Sequence, residues 1–205
     1  PFHEHLPGLS NVNYIWFDGG TFSLLRLPAL WRASLYADAE ESVGEATQPA
    51  AVEAKLQRIV PRDEPYPVGE IRPYRIHQRI LNDYRVGRVL FAGDAAHLNS
   101  PSGGMGMNGG IHDAVCAVAT LVPVWRGDAP LEALDRYTRQ RRPIARDQIL
   151  KQSHANRSRM QQRDALTRRA ELERLRRIAD DPVLCRNHLL TTSMIEGLRR
   201  AEEIA

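Results

Sequence analysis

The stretch Arg88-Val89-Leu90-Phe91-Ala92-Gly93-Asp94-Ala95-Ala96-His97, followed by Pro101 and then by Gly104-Met105-Gly106-Met107-Asn108, decides how the rest of this chain is read. An apolar strand runs into a tight turn carrying one carboxylate, and a glycine-rich loop then opens a helix. Side chains at the carboxyl edge of a sheet emerge where ligands bind, so Asp94 is placed to accept hydrogen bonds from ligand hydroxyls. Ala95 and Ala96 keep the wall low. Gly103, Gly104 and Gly106 let backbone approach a flat ring and adopt positive φ. Asn108 is expected to cap the helix, whose positive end and free N–H groups point back into the loop and favour negative charge there.

Gly104, Gly106 and Gly109 also spell G-x-G-x-x-G. A pyrophosphate loop of that pattern follows its strand immediately. Here the loop 93–103, with Pro101 in it, separates Ala92 from the first of those glycines, which rejects that reading. The first eighty residues hold no strand–glycine–helix phosphate site either. If a dinucleotide binds, the pyrophosphate half of its site is expected to lie outside this sequence.

Upstream, Tyr14-Ile15-Trp16-Phe17, the turn Asp18-Gly19-Gly20 and Thr21 to Leu27 read as a hairpin, with a third strand over Leu30 to Ala37. A helix is expected over Ala50 to Val60, with Val52, Leu56 and Ile59 on one side. Alternation over Glu70 to Leu81 predicts a fourth strand, with Tyr74, Ile76, Gln78 and Ile80 on one face and Arg75, His77 and Arg79 on the other. Downstream of the loop the pattern is helical, over about 108–125, 131–152 and on to the end. Pro130 and Pro143 punctuate it, and Asp180-Asp181-Pro182 breaks it. The fold class expected is α+β: a mostly antiparallel sheet over 1–86, a strand–loop–helix over 87–125 and a helical region over 126–205.

The 205 residues are 42% hydrophobic and 26% charged, enough for a sizeable core, with a net charge of +3. No apolar run approaches the ~20 residues that span a bilayer, and the start is not signal-like, so no membrane partner is expected. Between Arg136 and Arg177 arginines crowd a helical pattern. Asp147, Asp164, Glu171 and Glu173 interrupt them and, Tyr137 at the start apart, no aromatic side chains interleave for base stacking, so nucleic acid is not an expected partner. Cys116 and Cys185 stand apart from any CxxC or Cys/His cluster, which reads as free thiols in a reducing cytoplasm. His3, His5, His112, His154 and His188 show no metal-ligand spacing, and no metal is expected.

The central segment resembles the second flavin-binding motif of the FAD-dependent aromatic hydroxylases, the single-component flavoprotein monooxygenases that include p-hydroxybenzoate and phenol hydroxylases. Arg88, Val89, Gly93, Asp94, Ala95, Ala96, His97, Pro101, Gly104, Gly106, Asn108 and Asp113 fit that pattern. A weaker similarity is Tyr137-Thr138-Arg139-Gln140-Arg141-Arg142-Pro143, where Gln140 stands in place of the usual acid. The early strands are similar in order to the family's substrate-domain sheet, and the larger fold implied is an α/β FAD-binding fold.

The resemblance implies FAD as cofactor, NAD(P)H as transient reductant, and O2 with a small phenol-like substrate. Asp94 would hold the ribityl hydroxyls, with Arg88 and Gly93 beside it. Backbone from Gly104 through Met105, Gly106 and Met107 to Asn108 would face the isoalloxazine. Pro101 would lie at the reactive edge, close to substrate. His77 and Arg75 on the sheet are substrate candidates. His97 fits as a structural residue or a proton carrier, and Met105 and Met107 as flavin-edge packing or core. The family's ADP-binding Gly-x-Gly-x-x-Gly and its central Asp-Gly motif are missing. The chain is therefore expected to be inactive alone and to need an amino-terminal FAD-binding half, or to pair as a homodimer. The alternatives are a flavin-dependent halogenase or other oxidoreductase on the same scaffold, and a non-catalytic split binding module.

Overall fold

The computed structural model describes residues 2, 6–17, 20–38 and 40–204. It is a mixed α and β protein with small antiparallel sheets, and it divides into two compact units, Pro1–Arg75 with Met160–Arg163, and Ile76–Arg159 with Asp164–Ala205.

In the first unit, β1 (Val12–Phe17), β2 (Gly20–Arg26) and β3 (Trp31–Leu35) form an antiparallel sheet in sequence order. Ile15 lies opposite Phe22, and Leu24 opposite Ala33. The two-residue period turns Phe22 and Leu24 to the buried face, where each contributes about 1.5–3 kcal/mol. Asp18 and Gly19, the expected hairpin turn, lie outside the described residues, as do His3 and His5. A short helix, α1 (Val43–Ala46), begins with a capping box between Ser42 and Glu45. Next, α2 (Pro49–Ile59) starts on a proline whose fixed φ suits a first helical position. It sets Leu56 against Phe22 and Leu24, with Val60 and Tyr66 completing the cluster and Val52 and Ile59 packed at its edge.

The fourth strand expected over 70–81 is a correction: only Arg79–Ile80 is a strand, and residues 61–78 hold no helix or strand. Pro61, Pro65, Pro67 and Pro73 remove the N–H groups a ladder needs.

In the second unit, β4 (Arg79–Ile80) pairs with β7 (His97–Leu98), and β5 (Arg85–Val86) pairs with β6 (Val89–Leu90) through a tight turn at Gly87. The apolar run 88–92 thus yields only a two-residue strand, followed by a 3-10 turn at Gly93–Ala95. Then come α3 (Met105–Arg126), a 3-10 turn (Leu131–Leu134), α4 (Asp135–Ile144), a π-helical segment (Ala145–Leu150) and α5 (Lys151–Gln161). Three more helices follow: α6 (Ala165–Asp180), α7 (Pro182–Thr192) and α8 (Ile195–Glu202). The single helix expected over 131–152 is therefore broken. Pro143 offers no N–H to the preceding turn, and the wider π winding follows it directly. The core gathers Tyr84, Ala96, Met105, Tyr137, Ala145, Ile149 and Met194.

One helix departs from the expectation that no apolar stretch is long enough to cross a bilayer. By length and composition α3 passes that test, with a mean hydropathy of 1.2 over its most apolar 18 residues. Its inner face carries a buried carboxylate, Asp113, paired within the same unit.

Candidate functional site

The loop between β6 and α3 is pinned at its start through both backbone groups of Phe91. The Phe91 N–H donates to the Tyr84 carbonyl at 2.8 Å, and the Tyr137 hydroxyl donates to the Phe91 carbonyl at 2.8 Å. Beyond it, Gly93 adopts φ +57, a conformation that L side chains rarely take. Its turn packs against α3: a Cβ at Gly93 would make ordinary contact with the Gly110 Cα at 3.5 Å, while one at Gly110 would come within 3.3 Å of the Gly93 Cα, tighter than ordinary contact. Asp94, at the apex, is exposed, and no hydrogen bond or ion pair among the described residues engages its carboxylate.

Beneath the turn lies a buried charge cluster. Asp113 is fully buried on α3. Its Oδ2 accepts from the Gly93 N–H at 3.1 Å and from His97 Nε2 at 2.8 Å, and its Oδ1 accepts from Arg141 Nε at 2.8 Å. His97 and Arg141 are also buried. Burial alone would push the Asp113 carboxyl up, but the hydrogen bonds from His97 and Arg141, with the guanidinium charge, outweigh it and hold the group below the usual carboxylate range. The Tyr84 ring stacks on His97 at 6.1 Å between centroids, and burial pushes its phenol well up. Around this carboxylate Tyr84 Oη, His97 Nδ1 and Arg141 Nη2 are buried without a hydrogen-bond partner, which leaves polar capacity for ordered water.

The glycine loop continues the site. Pro101 is exposed and its carbonyl accepts the Gly104 N–H at 3.1 Å. Ser100 and Ser102, both buried, are joined through their hydroxyls at 3.1 Å, and Asn156 Nδ2 donates to the Ser102 carbonyl at 3.4 Å. A Cβ at Gly103 would sit 2.6 Å from that same Asn156 nitrogen. Gly104, at φ +65, is the residue before α3, and no side chain caps the helix there. The expected Asn108 cap is thus corrected: Asn108 lies inside α3, with Nδ2 donating back to the Gly104 carbonyl at 3.1 Å. The left-handed glycine turns the chain into the helix, so no side-chain cap is needed.

The structure brings Gly93, Asp94, Pro101, Gly104, Gly106 and Met107 into one stretch of loop and helix start within the second unit. Met107 and Asn108 are exposed, whereas the Met105 side chain is core. Arg88 is exposed in the β5–β6 turn. Arg75 and His77 are exposed, and the strand that was to orient them is not formed. Asp113 and Arg141 match the family resemblance, but the sequence by itself assigns neither a role. A lone carboxylate at i+4 from Gly109 and i+8 from Met105, on the inward stripe of an apolar helix, was the signal available for the first.

A family model described as "FAD binding domain" matches residues 23–153. The para-nitrophenol 4-monooxygenase of Pseudomonas sp. (strain WBC-3) is 30% identical over 203 residues, covering 97% of this chain and 50% of that protein. The pentachlorophenol 4-monooxygenase of Sphingobium chlorophenolicum is 45% identical over 82 residues, covering 40% of this chain and 15% of that protein. Among solved structures, the p-nitrophenol 4-monooxygenase PnpA of Pseudomonas putida DLL-E4 superposes with a TM-score of 0.75 at 29% identity, over 93% of this chain and 48% of that one. The chain spans about half the length of the relatives it matches end to end.

Proposed function

The chain belongs to the FAD binding domain family, and from that membership we propose that it supplies the ribityl- and ring-binding half of a flavoprotein monooxygenase acting on phenols. The residues present fit the group. Asp94 offers an unengaged carboxylate to hydroxyls, and the N–H end of a 22-residue helix stands uncapped behind glycines at 103, 104 and 106. A Cβ at Gly104 would meet nothing within 4 Å, so the backbone there lies open to a flat ligand.

When bound, FAD supplies redox chemistry, passing electrons from NAD(P)H to O2 so that one oxygen atom reaches an electron-rich ring. The chain's own part is to bind and orient. Asp94 accepts ribityl hydroxyls, and the helix start at Met105 to Met107 stabilises negative charge on the ring that faces it. Pro101, exposed and fixed in φ, forms a rigid wall at the substrate side.

A second surface supports a partner half. Ile111, Val115, Val118, Val122 and Trp125 recur at helical spacing along α3 and are all exposed, Trp125 at 86%. This apolar stripe is the face against which the ADP-binding part of the fold packs in this reading.

The observation that carries the proposal is the unengaged Asp94 beside the open glycine helix start. Its test is expression of the chain together with the coding sequence that adjoins it. The expected result is a yellow protein whose NAD(P)H oxidation is stimulated by para-nitrophenol or related phenols. A colourless protein that takes up no added FAD overturns the reading.

A further inference from the structure

The Asp94 turn is held from below by a residue on another element, and that residue is held by a third. The Asp113 carboxylate on α3 receives the Gly93 N–H, and Arg141 on α4 clamps its other oxygen. Every member of this chain of contacts is buried except the turn it ends on. Loops set by their own side chains adapt; a turn tied through its backbone to a buried ion pair does not. His97, four residues beyond Gly93, donates to the same Oδ2, so the turn is fixed at its entry and at its exit by one oxygen.

We propose that Asp113, clamped by Arg141, is the positioning residue of the cofactor turn: α4, a helix outside the loop, sets where Asp94 points. This rests on the FAD-binding reading for its consequence, and on geometry alone for its mechanism. Asp113 touches no ligand in this scheme. It acts by fixing the Gly93 amide, and Arg141 acts by fixing Asp113. An Asn at 113 has one acceptor oxygen where three donors converge, and an uncharged one, so it cannot hold the amide as the carboxylate does. A Lys at 141 keeps the charge but loses the planar fork that aims the carboxylate.

The test has two readouts. Amide hydrogen exchange at Gly93 is followed in the 205-residue chain without any flavin. FAD affinity is measured in the protein expressed with its adjoining coding sequence. Variants are Asp113→Asn, Arg141→Lys and, as a control, Thr138→Val. Thr138 accepts the Tyr84 N–H at 3.1 Å in the same unit but does not touch the turn. The expected result is exchange at Gly93 about tenfold faster in D113N, with FAD affinity about tenfold to hundredfold weaker, the span of a hydrogen bond to a charged group. R141K moves both readouts the same way by less, and T138V lowers stability while leaving both unchanged.

Unaltered Gly93 exchange in D113N overturns the proposal. So does a loss of FAD affinity that tracks melting temperature equally in D113N and T138V. If the parent protein binds no FAD, the functional reading falls, while the exchange data still decide whether Asp113 holds the turn.

Discussion

Arg141 reaches Asp113 across 28 residues of sequence, Nε to Oδ1 at 2.8 Å, with both side chains fully enclosed. This one contact joins the segment carrying Tyr137 and Pro143 to the helix behind the glycine loop. Two stretches that look separate in sequence are thereby one structural feature.

Asp94→Ala separates binding from folding. The carboxylate is exposed and makes no contact among the described residues, so the melting temperature stays within about 0.5 kcal/mol equivalent of the parent. FAD affinity, measured by fluorescence titration of the protein with its adjoining sequence, falls about tenfold or more.

Gly109→Ala strains the core beneath the loop. The added Cβ would stand 2.5 Å from Ile149 Cδ1 and 3.3 Å from His97 Cε1, and both neighbours are buried. Overpacking of this kind costs about 1–3 kcal/mol, read as a lower urea midpoint with an unchanged slope.

Acid sensitivity follows from Asp113. Its folded carboxyl titrates below the unfolded value, so its stabilisation is complete above about pH 5 and is lost as pH falls through the unfolded and then the lower folded value. Unfolding free energy measured between pH 7 and about 5 shows no slope from this group. Below that window the parent loses stability, and Asp113→Asn loses less because it has no carboxyl to protonate.

Gln140→Glu tests the departure from the family pattern. Gln140 Nε2 donates to the Ile204 carbonyl at 2.7 Å, and its Oε1 accepts from Cys116 Sγ at 3.3 Å. A carboxylate cannot make the first of these bonds. The expected cost is about 1–3 kcal/mol, with faster amide exchange in Ile195–Glu202, the last helix.

The three-stranded sheet and α2 were legible because period-two and period-3.6 patterns over Phe22, Leu24, Val52 and Leu56 are set by local burial. At 70–81 alternation is outweighed by backbone chemistry. Tyr74, Ile76 and Ile80 alternate as a strand should, yet Pro73 removes an N–H, and of the three only Ile80 stands in a paired strand. At the site, the glycines and Asp94 could be read from conformational need. Asp113, Tyr84 and Arg141 could not be given roles, because their meaning lies in contacts between positions 16 to 28 residues apart or more. Asn108 was misread as a cap because a left-handed glycine does the same work with no side chain to announce it.

The close approach of Gly93 and Gly110 has a consequence for building chimeras. The positive φ of Gly93 disfavours a side chain there, a Cβ at Gly110 would stand only 3.3 Å from the Gly93 Cα, and the helix bearing Gly110 is bound through Asp113 to Arg141. Residues 93 to 141 therefore behave as a single heritable cassette. Exchanges of sequence between relatives should keep their junctions outside it, because a crossover within it would pair a turn from one parent with a floor shaped for another.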